Sequence, residues 1–214
     1  MLVFSLVAHE YAHGAAALAQ GDDTAYLLGR LTLNPLPHID PFMSILVPAL
    51  LWFGSNGAWT FGGAKPVPVN PRKYRKYKQG DIIVSSAGVI TNLVLSVVFT
   101  LLFAVVGLLG RMAPGLVQGL SVLQQMMAYG VVLNLVLCFF NLIPIPPLDG
   151  SHLFYYLLPP EMGARYRSLH RFGFLILFGV LLLLPGVVGF FLFPARWLGS
   201  QLLGIVAPYS LGLL

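Results

Sequence analysis

The sequence predicts an all-α, multi-span membrane protein: four to six membrane helices around a buried metal site, with short re-entrant or β-hairpin elements between the first two core helices. Three observations lead there. Hydrophobic residues make up 57% of the 214 and charged residues only 9%, with a mean hydropathy of +0.84, whereas soluble domains carry about 25% charged residues. The apolar residues are gathered into runs near or beyond the ~20 residues that cross a bilayer. Within the first run lies His9-Glu10-Tyr11-Ala12-His13, an H-E-x-x-H pattern. The whole chain, 1–214, reads as a single membrane-embedded domain.

Residues 1–19 form the helix that carries this pattern. The run has no basic n-region, Arg30 being the first positive charge, and cleavage would remove the H-E-x-x-H, so it reads as a retained span and not as a signal peptide. Its abrupt start, without a polar flank, points to a true start further upstream. Residues 20–81 form a connector. Segments 26–28 and 30–33 flank Gly29 and predict a short hairpin, and three prolines between 34 and 41 exclude a regular helix. Segment 42–61 is apolar but interrupted by Pro48, Gly54, Ser55, Asn56 and Gly57. Its unbroken part, 42–53, is shorter than a straight span, so a kinked span and a re-entrant helix both fit. Segment 62–71 reads as extended. Spans follow at 82–109 and 119–150, the latter leaving the membrane near 142 and running into Leu148-Asp149-Gly150. Segment 172–193 is another span, and 197–214 a half-span or interfacial helix. Gln124, Gln125, Asn134 and Asn141 require part of the 119–142 helix to face protein and not lipid.

The H-E-x-x-H has a chemical reading. On a helix, His9 and His13 share a face and can bind one metal, while Glu10 is placed to hold and deprotonate its water. Ionisable groups at membrane depth are costly and mark function. A catalytic zinc takes a third protein ligand. The single Cys138 lies in an apolar run and reads as a packing thiol, which leaves a carboxylate. Of the seven carboxylates, Asp22, Asp23, Asp40 and Asp81 sit at segment ends, Glu161 in a loop, and Glu10 suits the base. Asp149 remains, after a segment stiffened by Pro144, Pro146 and Pro147 and before Gly150. An ordinary turn is the competing reading of Pro-Leu-Asp-Gly; beside the H-E-x-x-H, the ligand reading prevails.

H-E-x-x-H in a membrane helix, followed by Asn141-x-x-Pro144-x-x-x-Leu148-Asp149-Gly150, resembles the site-2 protease family of intramembrane zinc metalloproteases, peptidase family M50. Asn34-Pro35-x-x-His38-Ile39-Asp40-Pro41 and Ala64-Lys65-Pro66-Val67-Pro68-Val69-Asn70-Pro71 resemble its compact prokaryotic branch, which lacks a PDZ domain. The resemblance spans about residues 9 to 155. It implies Zn2+ held by His9, His13 and Asp149, with Glu10 as base. It implies a peptide bond in or near a transmembrane helix as substrate, with Asn141 helping to hold the unwound strand. Asn92 and Pro144 join Asn141 as substrate-contact candidates, and an interhelical hydrogen bond is the equal alternative for Asn92. The edge of 31–33 or 67–69 is a further place for the unwound strand. His38 reads as a zinc neighbour, a gate or, best, a loop-stabilising hydrogen-bonder. His152 either orients Asp149 or caps the following helix. His170 reads as interfacial, and Trp52, Trp59, Trp197 and Tyr129 as packing or interface anchors.

The net charge of +5 does not point to nucleic acid, because it is localised: nine of the twelve Lys and Arg lie in 65–78 and 165–171. Both loops fall on one side, which the positive-inside bias makes cytoplasmic. Two rival functions use the same residues: a membrane metal or ion carrier, and an inactive scaffold that binds membrane proteins. Glu10, a base with no evident task in a carrier, favours the protease.

Overall fold

The computed structural model describes residues 1–57, 60 and 62–212. Its helices are α1 (Leu2–Ala19), α2 (Thr24–Leu27), α3 (Val47–Gly54), α4 (Tyr77–Met112), α5 (Val117–Asn141), α6 (Asp149–Tyr155), α7 (Pro160–Ser168), α8 (Gly173–Leu183) and α9 (Pro185–Val206). Among the described residues, four helical stretches are long and apolar enough to cross a membrane: Tyr77–Met112, Pro114–Asn141, Pro160–Leu183 and Pro185–Tyr209. α1, at 18 residues, is about 27 Å long; its two His and one Glu lower its hydropathy below that group. The chain forms two compact units, residues 2–88 and residues 89–214 with Met1. Trp59 and part of the 42–61 segment lie outside the described residues.

In the 2–88 unit, α1 is built mostly from Ala, Leu and Val. Its Gly14 lets the extended 65–70 segment lie close, since a Cβ there would stand 3.0 Å from the Val67 side chain and 3.1 Å from Leu31. Asp40 starts the next helix by accepting the Phe42 and Met43 N–H groups at 2.8 and 2.9 Å. That helix opens with a wide π-type turn, Pro41–Leu46, and continues as α3. The whole Pro41–Gly54 piece is a short apolar helix, about 21 Å at a normal helical rise, and so too short for a straight span.

The expected β-hairpin is overturned: no strand occurs among the described residues. Gly29 does adopt a left-handed conformation, φ +64°, but it ends a helix. The Arg30 N–H bonds the Ala25 carbonyl and the Gly29 N–H that of Tyr26, which closes α2 in the manner of a Schellman cap. The 65–70 segment is extended, yet it pairs with side chains. Pro66 and Pro68 have no N–H to give to a ladder. The Val67 N–H goes to Glu10 and the Asn70 N–H to Asp22, while the Arg30 guanidinium takes the Lys65 and Pro66 carbonyls.

The 89–214 unit is held by α4, α5 and α9. Phe99, Phe103, Met127, Val131, Leu135, Ala195 and Val206 form its core, and Gly130 makes room for the Phe99 ring. Polar residues of α5 do face protein: Gln124 and Asn134 are fully buried. The apolar run expected to cross at 172–193 is instead divided at Leu184, with α8 before it and α9 after it. Pro185 supplies the break, because it lacks an N–H and disfavours helical backbone at the residue before it. α9 then absorbs 185–206, including most of the segment expected as a half-span.

Gln124 locks the C-terminal turn. Its Nε2 donates to the Phe103 and Tyr209 carbonyls, both at 3.0 Å, and its Oε1 accepts the Leu211 N–H at 2.9 Å. Gln124→Leu is expected to lose about 1–2 kcal/mol by stranding the Leu211 and Tyr209 groups. Thermal unfolding in detergent should show a lowered Tm, with no change for Gln125→Leu, whose side chain is exposed.

Candidate active site

The four-residue spacing on α1 brings the two imidazoles together. His9 and His13 are both buried, and their Nε2 atoms lie 3.0 Å apart. The Nδ1 of His13 lies 2.7 Å from the Val84 carbonyl of α4. A carbonyl only accepts, so Nδ1 carries the proton and the Nε2 lone pair of the neutral ring is left to face His9. Gly88, one turn further along α4, allows the approach. A Cβ there would stand 2.5 Å from His13 Nε2 and from His9 Cε1 and Nε2. Glu10, one position round the helix, accepts the Val67 N–H at 2.7 Å through Oε2. Between Pro66 and Pro68, Val67 has the only N–H, and the strap is fixed in turn by Lys65 N–H on the His38 carbonyl.

Asp149 opens α6, directly after the cis Pro146–Pro147 pair and Leu148. Gly150 is required behind it, because a Cβ would collide with the Leu142 carbonyl and stand 2.8 Å from that of Ile143. His9 and His13 offer two metal-ligand nitrogens from one unit, and Asp149 offers a carboxylate from the other. Two imidazoles and a carboxylate are the donor set of a catalytic zinc that keeps a position for water. The residues therefore fit zinc.

The model of peptidase family M50 matches residues 1–184. The chain belongs to this family. The protein named "Putative zinc metalloprotease YwhC" of Bacillus subtilis is 40% identical over 185 residues, 86% of this chain and 78% of that protein. Rip2 of Mycolicibacterium smegmatis, given the same description, is 31% identical over 195 residues, 91% of this chain and 70% of its own length. Rip2 of Mycobacterium tuberculosis is 30% identical over 194 residues, 91% and 69%. No solved structure matches. This M50 peptidase is thus a membrane enzyme of the zinc metalloendopeptidase type, with bacterial relatives.

Other residues singled out by sequence are placed as follows. Asn92 donates to Asn134 Oδ1 at 2.9 Å, Asn134 donates to the Gly130 carbonyl at 2.8 Å, and both side chains are fully buried. The Asn141 amide donates to the Leu137 carbonyl at 2.9 Å, at the end of α5. The Pro144 carbonyl accepts the Tyr166 hydroxyl at 3.0 Å. His38 is 2% exposed, and its Nε2–H donates to the Thr32 carbonyl at 2.9 Å. His152 stacks edge-on with His170, centroids 5.3 Å apart.

Sequence reasoning missed the contacts of Gly88, Val84 and Val67. Only Gly88 carried a signal, as a glycine inside an apolar span facing a polar helix. The other two act through backbone groups that any residue would supply. Gly88→Ala should drive the His9 and His13 rings apart. The expected result is loss of bound metal by elemental analysis, with the helical circular dichroism retained.

Proposed function

We propose that this M50 peptidase hydrolyses a peptide bond within or near a transmembrane helix of a membrane-protein substrate, with Zn2+ held by His9, His13 and Asp149. The observation that carries this reading is the buried His9–His13 pair, with the His13 tautomer set by the Val84 carbonyl. Bound there, zinc would supply Lewis-acid polarisation of the scissile carbonyl and activation of a water. Glu10 is the base that takes the proton of the attacking water and returns it to the leaving nitrogen. The Val67 N–H holds Glu10 Oε2 and fixes the direction of the carboxylate.

A helical substrate hides its carbonyls in i to i−4 bonds and must unwind locally to expose one. The freed groups need partners in an apolar site. Asn141, at the end of α5, and the neighbouring Pro144 are the proposed contacts. Asn92 is engaged with Asn134, which supports its alternative role as an interhelical hydrogen bond. His38 braces the 32–38 loop and the Lys65 strap, in keeping with a loop-stabilising role. Residues 1–214 form one metalloprotease domain, with the basic loops 65–78 and 165–171 cytoplasmic.

The test combines elemental analysis with cleavage of a reconstituted transmembrane reporter. Wild type is expected to hold near one zinc per chain, lost in His13→Ala and Asp149→Ala. Glu10→Gln should keep zinc while cleavage falls about 10²–10⁴-fold, the range for a general acid–base group. Zinc that survives Asp149→Ala would remove Asp149 from the ligand set. Zinc transport without any cleavage product would replace the protease by a carrier.

A further inference from the structure

We infer that Tyr166 is a positioning residue for Asp149, holding through its hydroxyl the loop that presents this carboxylate; the inference rests on the reading of Asp149 as a zinc ligand. α5 ends at Asn141, and the seven residues before Asp149 include Pro144, Pro146 and Pro147. Three N–H groups are therefore missing, so no helical or sheet ladder can hold this stretch. Its own short turns satisfy part of it: Ile145 N–H bonds the Ile143 carbonyl at 2.8 Å, Leu148 N–H that of Ile145 at 2.9 Å, and Ser151 N–H that of Leu148 at 3.0 Å. The Pro144 carbonyl is taken by the Tyr166 hydroxyl at 3.0 Å, from α7.

Tyr166 grips both sides of Asp149 along the chain. Five residues before Asp149 it holds the Pro144 carbonyl. Five residues after, its ring packs edge-on against Phe154 of α6, centroids 5.5 Å apart. His170 stands edge-on at 6.4 Å and limits the ring from α7's C-terminal side. A second brace comes from Gly173, whose position would bring a Cβ within 3.0 Å of the Pro146 carbonyl carbon. The loop is thus pinned at Pro144, Pro146 and Gly150, with Ile143, Leu148 and Ser151 buried beneath it. A carboxylate on a loop held this way keeps its direction when a metal is absent. A tyrosine retained only for packing would need its ring and not its hydroxyl.

Tyr166→Phe separates these. The full chain would be purified in detergent and loaded with zinc, and the rate of zinc release to a chromogenic chelator measured. Cobalt loading would report ligand geometry through the visible spectrum. Expected in Tyr166→Phe are zinc release about tenfold faster, at the low end for groups that orient metal ligands, and a shifted cobalt spectrum, with helical content unchanged. Gly173→Ala, which presses the same loop from the Pro146 side, should move both readouts in the same direction. Tyr129→Phe, whose side chain is exposed, should move neither. Wild-type release and spectrum in Tyr166→Phe would overturn the inference and leave the zinc site standing. Should Tyr166→Phe fail to fold, Gly173→Ala decides, and wild-type behaviour there overturns it. A wild-type protein that takes up no zinc would overturn the site reading itself.

Discussion

The hydrogen bond from His13 Nδ1 to the Val84 carbonyl is the contact on which the proposed metal site depends. An imidazole has two nitrogens and, when neutral, one proton. Unless that proton is fixed, half the rings would offer the wrong nitrogen to a metal. A helix carbonyl is an uncommon partner, because it already accepts the N–H four residues on. It retains a second lone pair, and α4 turns that lone pair toward α1. Gly88 complements it one turn away by having no side chain where the two rings must stand. One helix therefore supplies both an acceptor and a space, from positions with no chemistry of their own.

The connector solves a related problem. Extended backbone in an apolar protein needs partners for every N–H and carbonyl, and a sheet is the usual answer. Here Pro66 and Pro68 remove two of the six donors of 65–70, and carboxylates of α1 and its C-terminal turn meet two of the other four. The Val67 N–H reaches Glu10 and the Asn70 N–H reaches Asp22. The strap is thereby tied to Glu10, the proposed base, and displacement of one is felt by the other. This coupling, with Val67 buried against Gly14, explains how a segment without a ladder holds a defined path along a helix.

What the sequence made legible follows from how much of each feature is written in side chains. The approach of His9 to His13 was readable because a spacing of four fixes a face on any helix, and Asp149 stood out as a candidate because three prolines isolate it. The membrane class was readable from composition alone. Gly29 was ambiguous by nature: a left-handed glycine ends a helix as readily as it turns a hairpin, and the short α2 decided the matter. Pro185 could have been read as a helix start, since proline suits the first turn, but the unbroken apolarity on both sides masked it. Val84 and Val67 were beyond reach, since they act through main-chain atoms. Asn92 and Asn134 were each legible as polar residues in spans, yet their pairing required knowing that α4 and α5 face each other there.

Neighbouring Asp22 and Asp23 show why residue type alone could not rank the carboxylates. Asp23 meets Lys73 at 2.6 Å, and both side chains are largely exposed. That hydrogen bond from Lys73 holds the Asp23 carboxyl below its ordinary value. A depressed value means that its contribution is present above the unfolded-state pKa and is lost as pH falls through the folded one. Water and salt screen an exposed pair of this kind, so its part in stability is slight. Asp22 is 1% exposed and gathers the Thr24 N–H at 3.0 Å, the Thr24 hydroxyl and the Asn70 N–H. Removing it would leave those donors without an acceptor in a dry interior, the costlier loss. The ion pair is the more visible feature of the two, and the buried carboxylate beside it is the one that ties the strap to α1.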